Sequence, residues 1–132
     1  MRTAARLVAL AAVLTAVPLQ AQDLLGALRA DPHAQQVALH LARSAMEAWC
    51  LRRERVPLPA DLPALLHERS GVFVSAVLGD APRCCMGSLY PTRRTLAEEI
   101  IAAAVAAAGL DLRFSPLKAQ ELPRLRVIVS VV

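Results

Sequence analysis

Aromatic side chains are scarce in this sequence: one Trp, one Tyr and two Phe among 132 residues. Aliphatic residues must therefore fill the interior, and much of the 56% apolar share is alanine. Alanine buries little area at ~25 cal/mol per Å², so the core is thin and the length allows one domain at most. Lysine is almost missing too, with Lys118 alone. The arginines behind the net charge of +4 and the pI near 9.6 are scattered along the chain. Nucleic-acid backbone binding needs a patch of cations, so that class is set aside. No cysteine or histidine pair has zinc-site spacing. His33, His40 and His67 stand far apart and read as surface or packing residues. No metal site and no internal repeat is expected.

The N-terminus carries a pattern of its own. Arg2 and Arg6 make a basic start, Leu7 to Val17 an apolar run, and Pro18 a break before Leu19-Gln20-Ala21. This is the form of a secretory signal cut after Ala21. The alternative is an uncleaved anchor, although the run is shorter than the ~20 apolar residues of a spanning helix. No cysteine follows the run to take a lipid. Residues 1–21 are read as signal, 22–32 as a leader whose modest apolar stripe (Leu24, Leu25, Leu28) allows a helical turn or a linker, and 33–132 as the domain, exported to a periplasmic or extracellular space. There Cys50, Cys84 and Cys85 would meet oxidising conditions. An odd count leaves one thiol over. A Cys84–Cys85 bridge would be strained, while Cys50 with either of the pair would close a loop of about 35 residues, worth ~4 kcal/mol in a chain-entropy account.

Asp31-Pro32 is a helix start, an N-cap acid before a proline at the first helical position. Val37, Ala38, Leu41, Ala45, Ala48 and Trp49 follow at helical spacing. Arg52, Arg53 and Arg55 gather at the far end, where cations suit the dipole; they read as solvated charges or as a patch for an anionic partner. Pro57, Pro59 and Pro63 then impose an irregular connector, with a short helix expected from Asp61 to His67. Thr95-Leu96-Ala97-Glu98 is a capping box, opening a helix that runs to Ala108 and is stopped by Gly109. Arg126 to Val132 is a strand rich in β-branched residues.

Between the helices lies a hairpin: Gly71 to Leu78, a break at Gly79-Asp80-Ala81-Pro82, then Arg83 to Leu89. Alternation in the second strand puts Arg83, Cys85 and Gly87 on one face and Cys84, Met86 and Ser88 on the other. A guanidinium beside a thiol favours thiolate, and a glycine leaves room for a ligand or a second backbone.

The order Gly71-Val72-Phe73-Val74, Arg83-Cys84-Cys85-Met86-Gly87, Leu96-Ala97-Glu98-Glu99, Asp111-Leu112-Arg113-Phe114, Glu121-Leu122-Pro123 and Val129-Ser130-Val131 resembles the AMMECR1 domain family over about residues 33–132. Arg83, Cys85 and Gly87 match its Leu-Arg-Gly-Cys-Ile-Gly signature. Pro82, Cys84 and Met86 depart from it, as does Leu112 where the family has proline. The resemblance implies an α+β fold, an antiparallel sheet packed by helices. It also implies a further lobe after Val132, so the domain reads as incomplete at its C-terminus, with an edge strand open to pairing with a second copy.

Two functional classes follow. One is a non-catalytic module that binds a ligand or partner protein through the Arg83, Cys85 and Gly87 face and the open edge. The other is a thiol enzyme or modification factor with Cys85 as nucleophile and no cofactor specified. In either case the loop residues Asp111, Arg113 and Phe114 close over the same face, and Cys84, from the opposite face of the strand, is counted among the binding residues. Through the resemblance, a Memo-like protein or a radical SAM enzyme is the expected associate.

Overall fold

The structure, a computed structural model, describes residues 21–132, with side chains from residue 23 onward. The expected signal lies outside the described residues, Ala21 excepted. Among the described residues no helix is long and apolar enough to cross a membrane.

The chain runs α1 (Ala21–Arg29), α2 (Pro32–Arg52), a 3-10 turn (Ala64–His67), β1 (Val72–Leu78), β2 (Ala81–Ser88), α3 (Leu96–Gly109), a second 3-10 turn (Ala119–Arg124) and β3 (Leu125–Val131). The three strands form one antiparallel sheet in the order β2-β1-β3. One of its faces is covered by helices, giving an α+β fold. Residues 22–32 are not a linker: α1 takes up most of them, and its Leu24 and Leu28 are buried in the main core.

Asp31 caps α2 as its sequence predicts, its side chain accepting the Ala34 N–H at 3.0 Å, with Pro32 opening the first turn. Thr95 caps α3 by accepting the Glu98 N–H at 3.2 Å. The Glu98 carboxylate turns back to the Arg94 N–H at 3.3 Å, one residue short of the reciprocal bond of a full capping box. Alanines make the layer between helices. Ala38, Ala42 and Ala45 of α2 are buried, as are Ala104, Ala107 and Ala108 of α3. Their small size lets the two backbones approach, which is how so thin a composition still closes a core.

Gly109 does not stop α3 by adopting a left-handed conformation; the cap is Leu110 at φ −121. A Cβ at Gly109 would strike the indole nitrogen of Trp49, so the glycine is there to let the lone tryptophan lie against the helix end. The left-handed cap belongs to Arg53 at the end of α2, φ 55. Its side chain donates to the Trp49 and Cys50 carbonyls at 2.7 and 3.1 Å.

Candidate functional site

The hairpin turns at Gly79 (φ +60) and Asp80, and β2 then departs from regular pairing. Val77 pairs with Pro82, but Ala76 pairs with Cys84, so Arg83 is an extra residue without a partner on β1. This bulge takes Arg83 out of the alternation read from the sequence, while Cys85 with Gly87, and Cys84 with Met86 and Ser88, keep the faces expected of them. Cross-strand partners share a face. Cys84 therefore lies with Ala76 on the helix-covered side, 3% exposed, and Cys85 lies with Ser75 on the other.

Arg83 does not join Cys85. Its guanidinium donates to Glu121 through Nε at 2.6 Å and Nη2 at 3.3 Å, and to the Ser115 and Pro116 carbonyls at 3.0 and 3.2 Å. Its charge acts on Cys84 and Cys50, where it opposes the effect of burial. Burial dominates at Cys84 and pushes that thiol up to about 11. Burial likewise raises the Cys50 thiol, which donates to the Leu117 carbonyl at 3.1 Å. All three cysteines are free.

The cation at Cys85 is Arg113. The direction of each backbone group follows from one bond. Val132 N–H donates to Gly71 O at 3.0 Å, and hydrogen-bonded pairs alternate along an antiparallel ladder. Even-numbered residues of β1 therefore face β2, and Cys85, opposite Ser75, turns its own N–H and C=O out of the sheet. Asp111 accepts that N–H at 3.0 Å and Arg113 Nη2 donates to that carbonyl at 2.8 Å. The two side chains are themselves bidentate, Nε to Oδ1 at 3.0 Å and Nη2 to Oδ2 at 2.9 Å. Arg113 also lies 5.6 Å from the Phe114 ring centre. The Arg113 hydrogen bonds hold the Asp111 carboxyl far below the usual carboxylate range, against its burial and with help from the Cys85 amide. Asp111 and Arg113 thus complete the free edge of β2 in place of a fourth strand.

The Cys85 sulfur accepts from the Ser75 hydroxyl at 3.1 Å. Sequence reasoning missed Ser75 because counting pairs back from a regular two-residue turn sets it opposite Cys84; the bulge brings it to Cys85. It also missed the tie between Arg83 and Glu121, 38 positions apart. Of the two occupants expected beside Gly87, it is a second backbone and not a ligand that comes close. A Cβ there would strike the Val72 carbonyl and come within 2.6 Å of the Phe73 Cα, so β1 fills the gap. His33 and His40 lie exposed on α2 and His67 ends the first 3-10 turn; among the described hydrogen bonds none reaches Cys85. Among the described residues no group of three His, Cys, Asp or Glu could hold a metal ion.

The sequence model of the AMMECR1 family matches residues 39–132. The chain belongs to the AMMECR1 family. A protein of Methanothermobacter thermautotrophicus is 38% identical over 91 residues, 69% of this chain and 47% of its own length. A protein of Methanosarcina acetivorans is 40% identical over 100 residues, 73% and 49% of the two chains. The crystal structure of the uncharacterized protein PH0010 from Pyrococcus horikoshii superposes with a TM-score of 0.72 at 34% identity, covering 76% of this chain and 52% of that one. This AMMECR1 chain spans about half the length of the curated relatives it matches.

Proposed function

We propose that this AMMECR1 chain is a non-catalytic binding module that takes an extended segment of a partner protein onto the outer edge of β3. One observation carries the reading: the two edges of the sheet are finished differently. At β2 the outward groups of Cys85 are met by Asp111 and Arg113. At β3 the same alternation turns the N–H and C=O groups of Val127, Val129 and Val131 outward. Among the described residues only the start of that edge is closed, where Arg43 donates to the Leu125 carbonyl at 2.6 Å and also to the Leu122 carbonyl. Beside it lies an apolar groove of about 350 Å³, where Val127, Val129 and Val131 face Leu25 and Leu28 of α1 and Leu39 of α2. Main-chain bonds to such an edge give affinity, and alternate side chains entering a groove give selectivity.

The Cys85 face supports this reading as a built wall rather than a receptive one, since Arg83 and Gly87 are already engaged. By family association the partner is a Memo-like protein or a radical SAM enzyme. β3 is also suited to its own copy: antiparallel pairing centred on Ile128 sets Val127 against Val129 and Arg126 against Ser130, with no arginine facing another.

The test is a lysine-flanked peptide of the β3 sequence offered to the full chain, read by amide exchange. Slower exchange at Val127, Val129 and Val131 is expected, and Val129→Pro should abolish it while leaving the fold intact, because that N–H is not used by β1. Unchanged exchange at saturating peptide rejects the module.

A second reading rests on the Ser75 hydroxyl at the Cys85 sulfur. In this reading Cys85 is a nucleophile, with Ser75 and Arg113 as the polar groups beside it.

A further inference from the structure

Away from both sheet edges, the arginines of the connector and of the turn before α3 converge. Arg69, Arg93 and Arg94, with Thr92 and Glu98, surround an open concavity of about 560 Å³. A second concavity of about 260 Å³ adjoins it, sharing Arg93 and Glu98, and is lined by Val56, Leu58 and Ile101 with Arg55 at its rim.

The described ion pairs join Arg43 to Glu47, Arg52 to Glu54, Arg83 to Glu121 and Arg113 to Asp111. None of the four arginines of this corner is among them. Two of them are held by side-chain contacts. Arg69 Nε donates to the Arg93 carbonyl at 3.4 Å, and the Arg55 guanidinium lies 5.5 Å from the Trp49 ring centre. The turn that carries Arg93 and Arg94 is tied from beneath by Glu99, 4% exposed. Its carboxylate accepts from Thr92 N–H at 2.9 Å, Thr92 Oγ1 at 2.6 Å and Arg93 N–H at 2.7 Å. The backbone donors of the turn are thus satisfied internally, and the guanidinium groups are left to project. Arginine forks match phosphate oxygens in pairs; Glu98 and Glu99 offset the dipole at the start of α3, so the attraction comes from the guanidinium groups themselves. Leu58, 40% exposed, and Ile101 offer an apolar surface next to that charge.

We propose that this corner is a binding site for a small phosphate monoester with an apolar or aromatic body. Arg69, Arg93 and Arg94 hold the phosphate, Val56, Leu58 and Ile101 hold the body, and Glu98 on the shared wall accepts an O–H or N–H from it. The site stands apart from β3 and does not depend on the binding-module reading.

Titration of the full chain with 1-naphthyl phosphate and with inorganic phosphate, followed by NMR, tests it. Naphthyl phosphate should bind roughly tenfold more tightly than inorganic phosphate, with shifts centred on Arg93, Arg94 and Ile101. The exposed pair Arg93→Gln with Arg94→Gln should weaken both ligands roughly tenfold or more. Leu58→Ser should weaken the naphthyl ester and leave inorganic phosphate unchanged. The proposal is overturned by equal affinity for the two anions, by shifts confined to other surfaces, by indifference to the arginine pair, or by no binding at millimolar ligand.

Discussion

Asp111 and Cys85 meet across the margin of the sheet, carboxylate to amide at 3.0 Å, from positions 26 apart in the chain. Arg113 answers at the carbonyl of the same residue. A short loop thereby supplies both the acceptor and the donor that a neighbouring strand would have given.

Removing the carboxylate should expose that role. Asp111→Ala leaves the Cys85 N–H without its acceptor and Arg113 without its partner, at a cost of about 1–3 kcal/mol read from urea midpoints. The acid limb should change as well. The folded pKa of Asp111 is depressed, so its contribution is complete above the ordinary value of about 3.9 and is lost as pH falls below it. Stability of the parent chain should therefore drop more steeply in acid than that of Asp111→Ala; parallel acid limbs contradict the assignment.

The adjacent thiols should behave differently towards a thiol reagent. Cys85 is half-buried and on the uncovered face, so it is expected to label in the native state. Cys84 is enclosed, with its thiol pushed up to about 11, and should label only on unfolding. The raised value also sets an alkaline limb: the unfolded thiol ionises first, near ~8.5, so stability declines from there towards the folded value. Labelling of Cys85 that is rapid below pH 7 supports the nucleophile reading, and slow labelling removes it. Native labelling of Cys84 as fast as Cys85 would contradict the bulge.

Two glycines should respond unequally to alanine. At Gly87 the added methyl meets backbone of Val72 and Phe73, which cannot move without parting the strands. About 3 kcal/mol of destabilisation is expected, at the upper end of overpacking costs. At Gly109 the obstacle is the Trp49 side chain, which can rotate, so a cost nearer 1 kcal/mol is expected. Thermal melts of the two variants check the order.

Export is tested at the N-terminus. Expressed from Met1 in a bacterium, the chain should appear in the periplasm beginning at Gln22. Recovery in the membrane fraction with residues 1–21 attached would favour the anchored alternative.

Local signals in the sequence located most of the fold. Asp31-Pro32, Thr95 with Glu98, and Gly79-Asp80 each fix an element end within a few residues, because capping and turn chemistry act at short range. At α1 a stripe of three leucines left a helical turn and a linker both open, and burial of Leu24 and Leu28 against the rest of the chain decided for the helix. The site was legible in its residues but not in its geometry. Cys85, Asp111 and Arg113 do come together, yet the cation expected from Arg83 arrives from Arg113. Nothing local announces an unpaired residue at Arg83: Pro82 is compatible with regular pairing, since at this edge position its missing N–H would point away from β1. The Glu121 partner is set by tertiary packing alone.

The unpaired residue at Arg83 also acts as a selector between two sulfurs. Were Arg83 instead to pair regularly with Ala76, the pleat beyond it would shift by half its period. Cys84 would then emerge beside Ser75 and Cys85 would sink beneath the helices. Which sulfur is presented outside is thus decided by whether residue 83 is looped out of the pairing or taken into it, so changes beside Pro82 bear on the surface chemistry even where both cysteines are kept.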